Sequence, residues 1–213
     1  MQIRPCLIRA FATPLLLICV ALLPAIGAAQ DEAWRFVVLS DTRSNPCADG
    51  GKGGVNGAVL GRIAAAVVKE KPDVVLVAGD LVLGNAYRCG PAEPLAAQLK
   101  NWRTAMGPVY DAHIPVLPVR GNHELLSTDY FPTEPCRSLR PNGAALQAWL
   151  DIFGPDVPQN GPPGQKGITF AYPHKNALFV GLDELAAYLS YDPAWLDATL
   201  KANKRQHLFV YGH

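Results

Sequence analysis

Val116-Leu117-Pro118-Val119-Arg120-Gly121-Asn122-His123-Glu124 decides how this chain is read. A short apolar run, Val116 to Val119, leads into the polar tetrapeptide Gly121 to Glu124. An apolar run of this length, bounded by a turn, reads as a strand buried on both faces. The pattern recurs to either side. Val74-Val75-Leu76-Val77-Ala78 runs into Gly79-Asp80. Arg35-Phe36-Val37-Val38-Leu39-Ser40 runs into Asp41, and His207 to Tyr211 runs into Gly212-His213. Four expected strands thus end on a residue able to bind a metal: Asp41, Asp80, Asn122 and His213.

Helical patterns lie between these strands. From Asn56, a plausible N-cap, to Glu70, the residues Val59, Leu60, Ile63, Ala66 and Val67 mark an apolar face. A second helix is expected from about Leu95 to Met106, a third over Gly143–Phe153 and a fourth from Pro193 to Asn203. Trp102, Trp149 and Trp195 fall in these patterns and are read as core. Ile168 to Tyr172 and Ala177 to Leu182 read as a strand pair turning at Pro173-His174-Lys175-Asn176. The stretches 41–54, 125–142 and 154–167 read as loops. Strands alternating with helices argue an α/β domain. In such folds ligands bind beyond the carboxyl ends of the strands, where the four metal-capable residues fall.

Composition narrows the setting. At 49% hydrophobic and 17% charged the chain is globular. A net charge of +1 leaves no footprint for nucleic acid or an anionic membrane. Residues 1–29 read as a secretory signal peptide. Arg4 and Arg9 precede an apolar stretch from Pro14 to Ile26, and Gly27-Ala28-Ala29 offers a cleavage site. The stretch is short for a membrane span, so no stable anchor is expected after cleavage. The expected location is the periplasm or the outside, with the mature domain over residues 30–213. Cys47, Cys89 and Cys136 remain in it, so at most one internal disulfide forms.

Two divalent ions about 4 Å apart can clamp a phosphate and activate a water between them. The ordered set Asp41-Thr42-Arg43, Gly79-Asp80, Gly121-Asn122-His123-Glu124 and Gly212-His213 resembles the calcineurin-like metallophosphoesterase family. That family's pattern is DxH, GDxxD, GNH[DE], GH and then GHxH. Singly, Asp41, Asp80 and Asn122 are also what strand-end turns use. As an ordered set after strands they point to the family. The resemblance covers the mature chain and implies a four-layer αββα sandwich with a dinuclear centre of Mn, Fe or Zn. It implies that Asp41 binds the first metal, Asp80 bridges both, and Asn122 and His213 bind the second. It further implies that His123 donates a proton to the leaving group and that Glu124 orients His123.

The departures from the pattern bear on activity. Arg43 stands where the family has a histidine ligand, and a guanidinium cannot ligate a metal. It can bind a substrate phosphate instead, or stand as a plain surface arginine in solvent. Leu83 replaces the second acidic residue of GDxxD. The closing GHxH segment does not appear before the chain stops at His213, so the sandwich is expected to be incomplete at its C-terminus and the chain as given to have little activity. The expected function is metal-dependent hydrolysis of a phosphate ester, with His123 as acid. Monoesters, diesters, nucleotides and phosphoproteins all fit. The alternatives are a non-catalytic relative that binds phosphate or a partner, and an unrelated exported binding protein on an α/β scaffold. The remaining histidines and these basic residues are assigned no role: His113 reads as a loop residue, His174 as part of the hairpin turn, His207 as the solvated start of a strand, and Lys166, Lys201, Lys204 and Arg205 as solvated charge.

Overall fold

Valine-rich runs too short for helices form the centre of the fold, with helices on one side of them and a second sheet on the other. A computed structural model describes residues 33–45, 52–84, 93–125, 143–184 and 191–213. The expected leader, Cys47, Cys89, Cys136 and most of the 125–142 loop lie outside the described residues. In chain order the elements are β1 (Phe36–Leu39), α1 (Gly57–Glu70), β2 (Val74–Ala78), α2 (Leu95–Ala105), α3 (Gly107–Asp111), β3 (Val116–Val119), α4 (Gly143–Phe153), β4 (Phe170–His174), β5 (Ala177–Gly181), α5 (Pro193–Ala202) and β6 (His207–Tyr211).

β1, β2 and β3 form a parallel sheet in that order. β4, β5 and β6 form a second sheet, with β4 antiparallel and β6 parallel to β5. Side-chain alternation sorts the core into layers. Val75, Val77 and Val116 point to one side, where Leu60 and Ala64 of α1, Trp102 of α2 and Trp149 of α4 meet them. Val74, Leu76, Leu117 and Val119 point the other way, onto Phe170, Ala177 and Phe179 of the second sheet. Ala171, Leu178 and Val180 on the far side of that sheet pack against Trp195, Leu196 and Leu200 of α5. The order is therefore helices, sheet, sheet, helix, as the expected αββα sandwich requires.

Local chemistry explains the element ends. The Asn56 side chain accepts the Val59 N–H at 3.1 Å and caps α1. Lys71 closes that helix at φ 49°, and Pro72 prevents its continuation. α2 ends at Ala105, one residue early, and a separate short helix follows because Pro108 has no N–H to extend the ladder. The hairpin turn is tighter than expected. Only Lys175 and Asn176 make it, and β4 takes in Pro173 and His174. Proline is tolerated there because β4 is an edge strand. His174 then lies 3.2 Å from the Asp73 carboxylate.

Register sets the height of the strand ends. Leu39 pairs with Val77, Ala78 with Val119, and Gly181 with Tyr211. The loops leaving β1, β2 and β3 therefore emerge side by side. Arg120, just after β3, and Asp183, just after β5, form an ion pair that joins the two sheets beneath this rim. Their side chains are 1% and 0% exposed. Removing one member of such a pair strands the other charge, whereas an apolar replacement of both does not. Asp183→Ala is expected to lower stability by about 3–5 kcal/mol in urea unfolding. The double variant Arg120→Met, Asp183→Leu is expected to recover most of that loss. Equal loss in single and double variants would count against a charge effect.

Candidate metal and phosphate site

The loops after β1 and β2 hold Asp41 and Asp80 in the same unusual conformation, each with φ of 52°. Left-handed backbone is uncommon outside glycine, and its modest cost is met where surrounding bonds hold it. Here they do. The Asp41 N–H donates to the Gly79 carbonyl at 3.2 Å, and the Arg43 N–H donates to the Asp80 carbonyl at 3.2 Å. The Ser44 N–H donates to the Gly54 carbonyl at 3.0 Å, and Arg43 forms an isolated bridge with Val55. Trp102 adds a side-chain tie: its Nε1–H donates to Thr42 Oγ1 at 2.8 Å. This tryptophan is core, as expected, but it also anchors the Asp41-Thr42-Arg43 loop.

Glu124 is fully buried at the rim. Its carboxylate accepts the Asp80 N–H at 3.1 Å, the Val82 N–H at 3.0 Å and the Gly121 N–H at 2.7 Å. The residue expected to orient His123 thus acts chiefly on the backbone of two loops. Its place next to His123 in the short helical turn Asn122–Glu124 couples the two through the chain. Asp80 Oδ1 in turn accepts the His123 N–H at 3.2 Å.

The side chains read from sequence converge around Asp80, which is 2% exposed. On its Oδ2 side, Arg43 Nη1 lies at 2.9 Å and also pairs with Asp41 Oδ1. His123 Nε2 lies 3.7 Å from the same Oδ2. On its Oδ1 side, His213 Nε2 lies at 3.2 Å, and that nitrogen is also 3.2 Å from Asn122 Oδ1. All seven residues singled out are therefore at one rim.

Two backbone carbonyls set the histidines. His213 Nδ1 is 2.9 Å from the Ala78 carbonyl, and His123 Nδ1 is 2.8 Å from the Leu83 carbonyl. A carbonyl only accepts, so Nδ1 carries the proton and Nε2 faces the site in both rings. For His213, this places Nε2 3.2 Å from both Asp80 Oδ1 and Asn122 Oδ1. Two side-chain oxygens and an imidazole nitrogen are a donor set that would suit a divalent cation. Among the described residues no cluster of three or more His, Cys, Asp or Glu side chains forms a metal cage. On the other side, Asp41 and Asp80 already share the Arg43 guanidinium. That half does not fit a second ion as it stands.

Some contributors carry no sequence signal. The Ser40 hydroxyl donates to Asp41 Oδ2 at 2.7 Å and to the Ala78 carbonyl at 3.0 Å, one bond of a shared, rotating proton at a time. That hydroxyl first, and then the Arg43 guanidinium, hold the Asp41 carboxyl below the usual range. Gly121 matters for space, because a Cβ there would lie 2.2 Å from Asp80 Oδ1. Gly79, at φ 78°, faces the His213 ring at 2.6 Å from the position of an added Cβ.

A sequence model of the family described as "Calcineurin-like phosphoesterase" matches residues 35–213. Among solved structures, a dimetal phosphatase from Danio rerio matches with a TM-score of 0.48 at 15% identity, covering 84% of this chain and 69% of that one. A likeness of that size carries no functional weight. No curated protein matches.

Burial pushes the Glu124 carboxyl up to about 7, against the opposing pull of its three N–H donors. A folded-state value above the unfolded one contributes stability that is complete below the unfolded value and lost as pH rises through the folded one. In the presence of a chelator, stability is expected to fall between pH 4.5 and 7, by about 3 kcal/mol at most. Glu124→Gln should flatten that slope in urea unfolding. An unchanged slope in the variant would assign the pH dependence elsewhere.

Proposed function

The chain belongs to the calcineurin-like phosphoesterase family, and on that premise we propose that it is an exported metal-dependent hydrolase of a phosphate ester with His123 as general acid. Membership implies divalent metal ions and phosphate-ester substrates. The observation that carries the finer reading is the convergence of His123, Arg43, Asp80, Asn122 and His213 at one rim.

Asp80, Asn122 and His213 are the residues that would hold an ion of the Mn, Fe or Zn kind. Bound there, it would supply Lewis acidity toward a phosphoryl oxygen and lower the pKa of water. The chain's own groups do the rest. Arg43 neutralises phosphate oxygens as a planar donor that never deprotonates. His123, with Nδ1–H held by the Leu83 carbonyl, presents Nε2 to the site. Protonated there, it gives that proton to the departing alkoxide. Glu124 keeps the loop that carries His123 against the loop that carries Asp80.

Export to the periplasm or beyond rests on the leader read over residues 1–29. Among the described residues no helix is long and apolar enough to cross a membrane. A second reading, a non-catalytic relative that binds phosphate or a partner, has one observation in its favour: Arg43 spans both carboxylates of the site.

Hydrolysis of p-nitrophenyl phosphate and of bis-p-nitrophenyl phosphate in the presence of Mn²⁺ tests the first reading. His123→Ala is expected to lower kcat by about 10²–10⁴-fold with the fold intact. Turnover indifferent to both His123→Ala and Asn122→Ala would refute the assignment. Phosphate binding by the wild type without turnover of either ester would favour the second reading.

A further inference from the structure

Asp41 and Asp80 come from the ends of neighbouring parallel strands, and their carboxylates face one another across a short gap. Two carboxylates brought together need a cation between them. In this chain that cation is a side chain. Arg43 Nη1 contacts Asp80 Oδ2 at 2.9 Å and pairs with Asp41 Oδ1. A metal ion bridging the same two oxygens at ordinary bond lengths of about 2.1 Å would need the space that Nη1 occupies. The guanidinium cannot make room by losing its proton, and it cannot join as a ligand.

Nor is the side chain on a long leash. Its backbone N–H is bonded to the Asp80 carbonyl, and its own residue bridges to Val55. The residue before it is tied to Trp102, and the residue after it is tied to Gly54. Swinging Arg43 out would leave both carboxylates without their cation while the loop stayed in place. The opposite side of Asp80 is built differently. There Oδ1, Asn122 Oδ1 and Nε2 of His213 converge, and among the described residues no lysine or arginine side chain reaches them.

We propose that Arg43 is a built-in cation replacing one metal of this centre, so that the protein takes a single divalent ion, on the Asp80, Asn122 and His213 side. This rests on the metal-dependent reading above and deepens it. The site is asymmetric: an exchangeable ion on one flank of Asp80 and a covalently tethered, permanent charge on the other. A phosphate ester entering it meets one ion and one planar guanidinium. Loss of metal by chelation then removes only part of the positive charge, and phosphate retains a partner in the metal-free protein.

The test counts ions. The full chain is saturated with Mn²⁺, freed of unbound ion by gel filtration and analysed by elemental mass spectrometry. One ion per chain is expected in the wild type and two in Arg43→His, which supplies a neutral nitrogen donor in place of the cation. Arg43→Gln, with a neutral oxygen donor, serves as the second variant, and circular dichroism checks that both fold. Two ions in the wild type, none in it, or the same count in wild type and both variants overturns the proposal. The count needs no turnover. An inactive protein with one ion in the wild type and two in the variants would refute the hydrolase reading and leave the role of Arg43 standing.

Discussion

A carboxylate buried to zero exposure must be matched by donors, and Glu124 finds three in the backbone N–H groups of Asp80, Val82 and Gly121. Those groups belong to the loops leaving β2 and β3. One side chain therefore fastens two strand ends together at a set height. The turn at Asp80 is held in its left-handed conformation, and its carboxylate is aimed across the rim rather than along the strand. Everything else in the site is referred to that carboxylate. Gly121 lacks a Cβ because Asp80 Oδ1 takes its space.

The site built on this frame is electrostatically two-sided. Asp80 offers one oxygen to Arg43 and turns the other toward Asn122 and His213. Both histidines owe their orientation to carbonyls, Ala78 for His213 and Leu83 for His123. The backbone of the β2 end thus supplies the strained turn and the two acceptors that determine which histidine nitrogen faces inward. Below it, the buried Arg120–Asp183 pair joins the two sheets.

Most of the architecture is legible in the sequence. Val74–Ala78 and Val116–Val119 are apolar without interruption because they are buried on both faces, and such runs admit few other readings. α1 announced itself through its apolar spacing and the Asn56 cap. The break between α2 and α3 is not legible, because apolar spacing continues through it and only Gly107-Pro108 marks the interruption. The hairpin turn is two residues shorter than the sequence predicts, because an edge strand accommodates Pro173.

By itself the sequence determined which residues end the strands and in what order: Asp41, Asp80, Asn122 and His213, with Arg43, His123 and Glu124 beside them. Strand ends carry chemistry in an α/β sheet, so residue type and position along the chain were enough for that. Only the tertiary structure decided that Arg43 lies between two carboxylates rather than in solvent. It also showed that Glu124 bonds backbone rather than the imidazole, and that Ser40 and Trp102 brace the first loop. Those are contacts between segments distant along the chain or through side-chain rotamers. Strand register and loop backbone set them, and neither leaves a local pattern in the sequence.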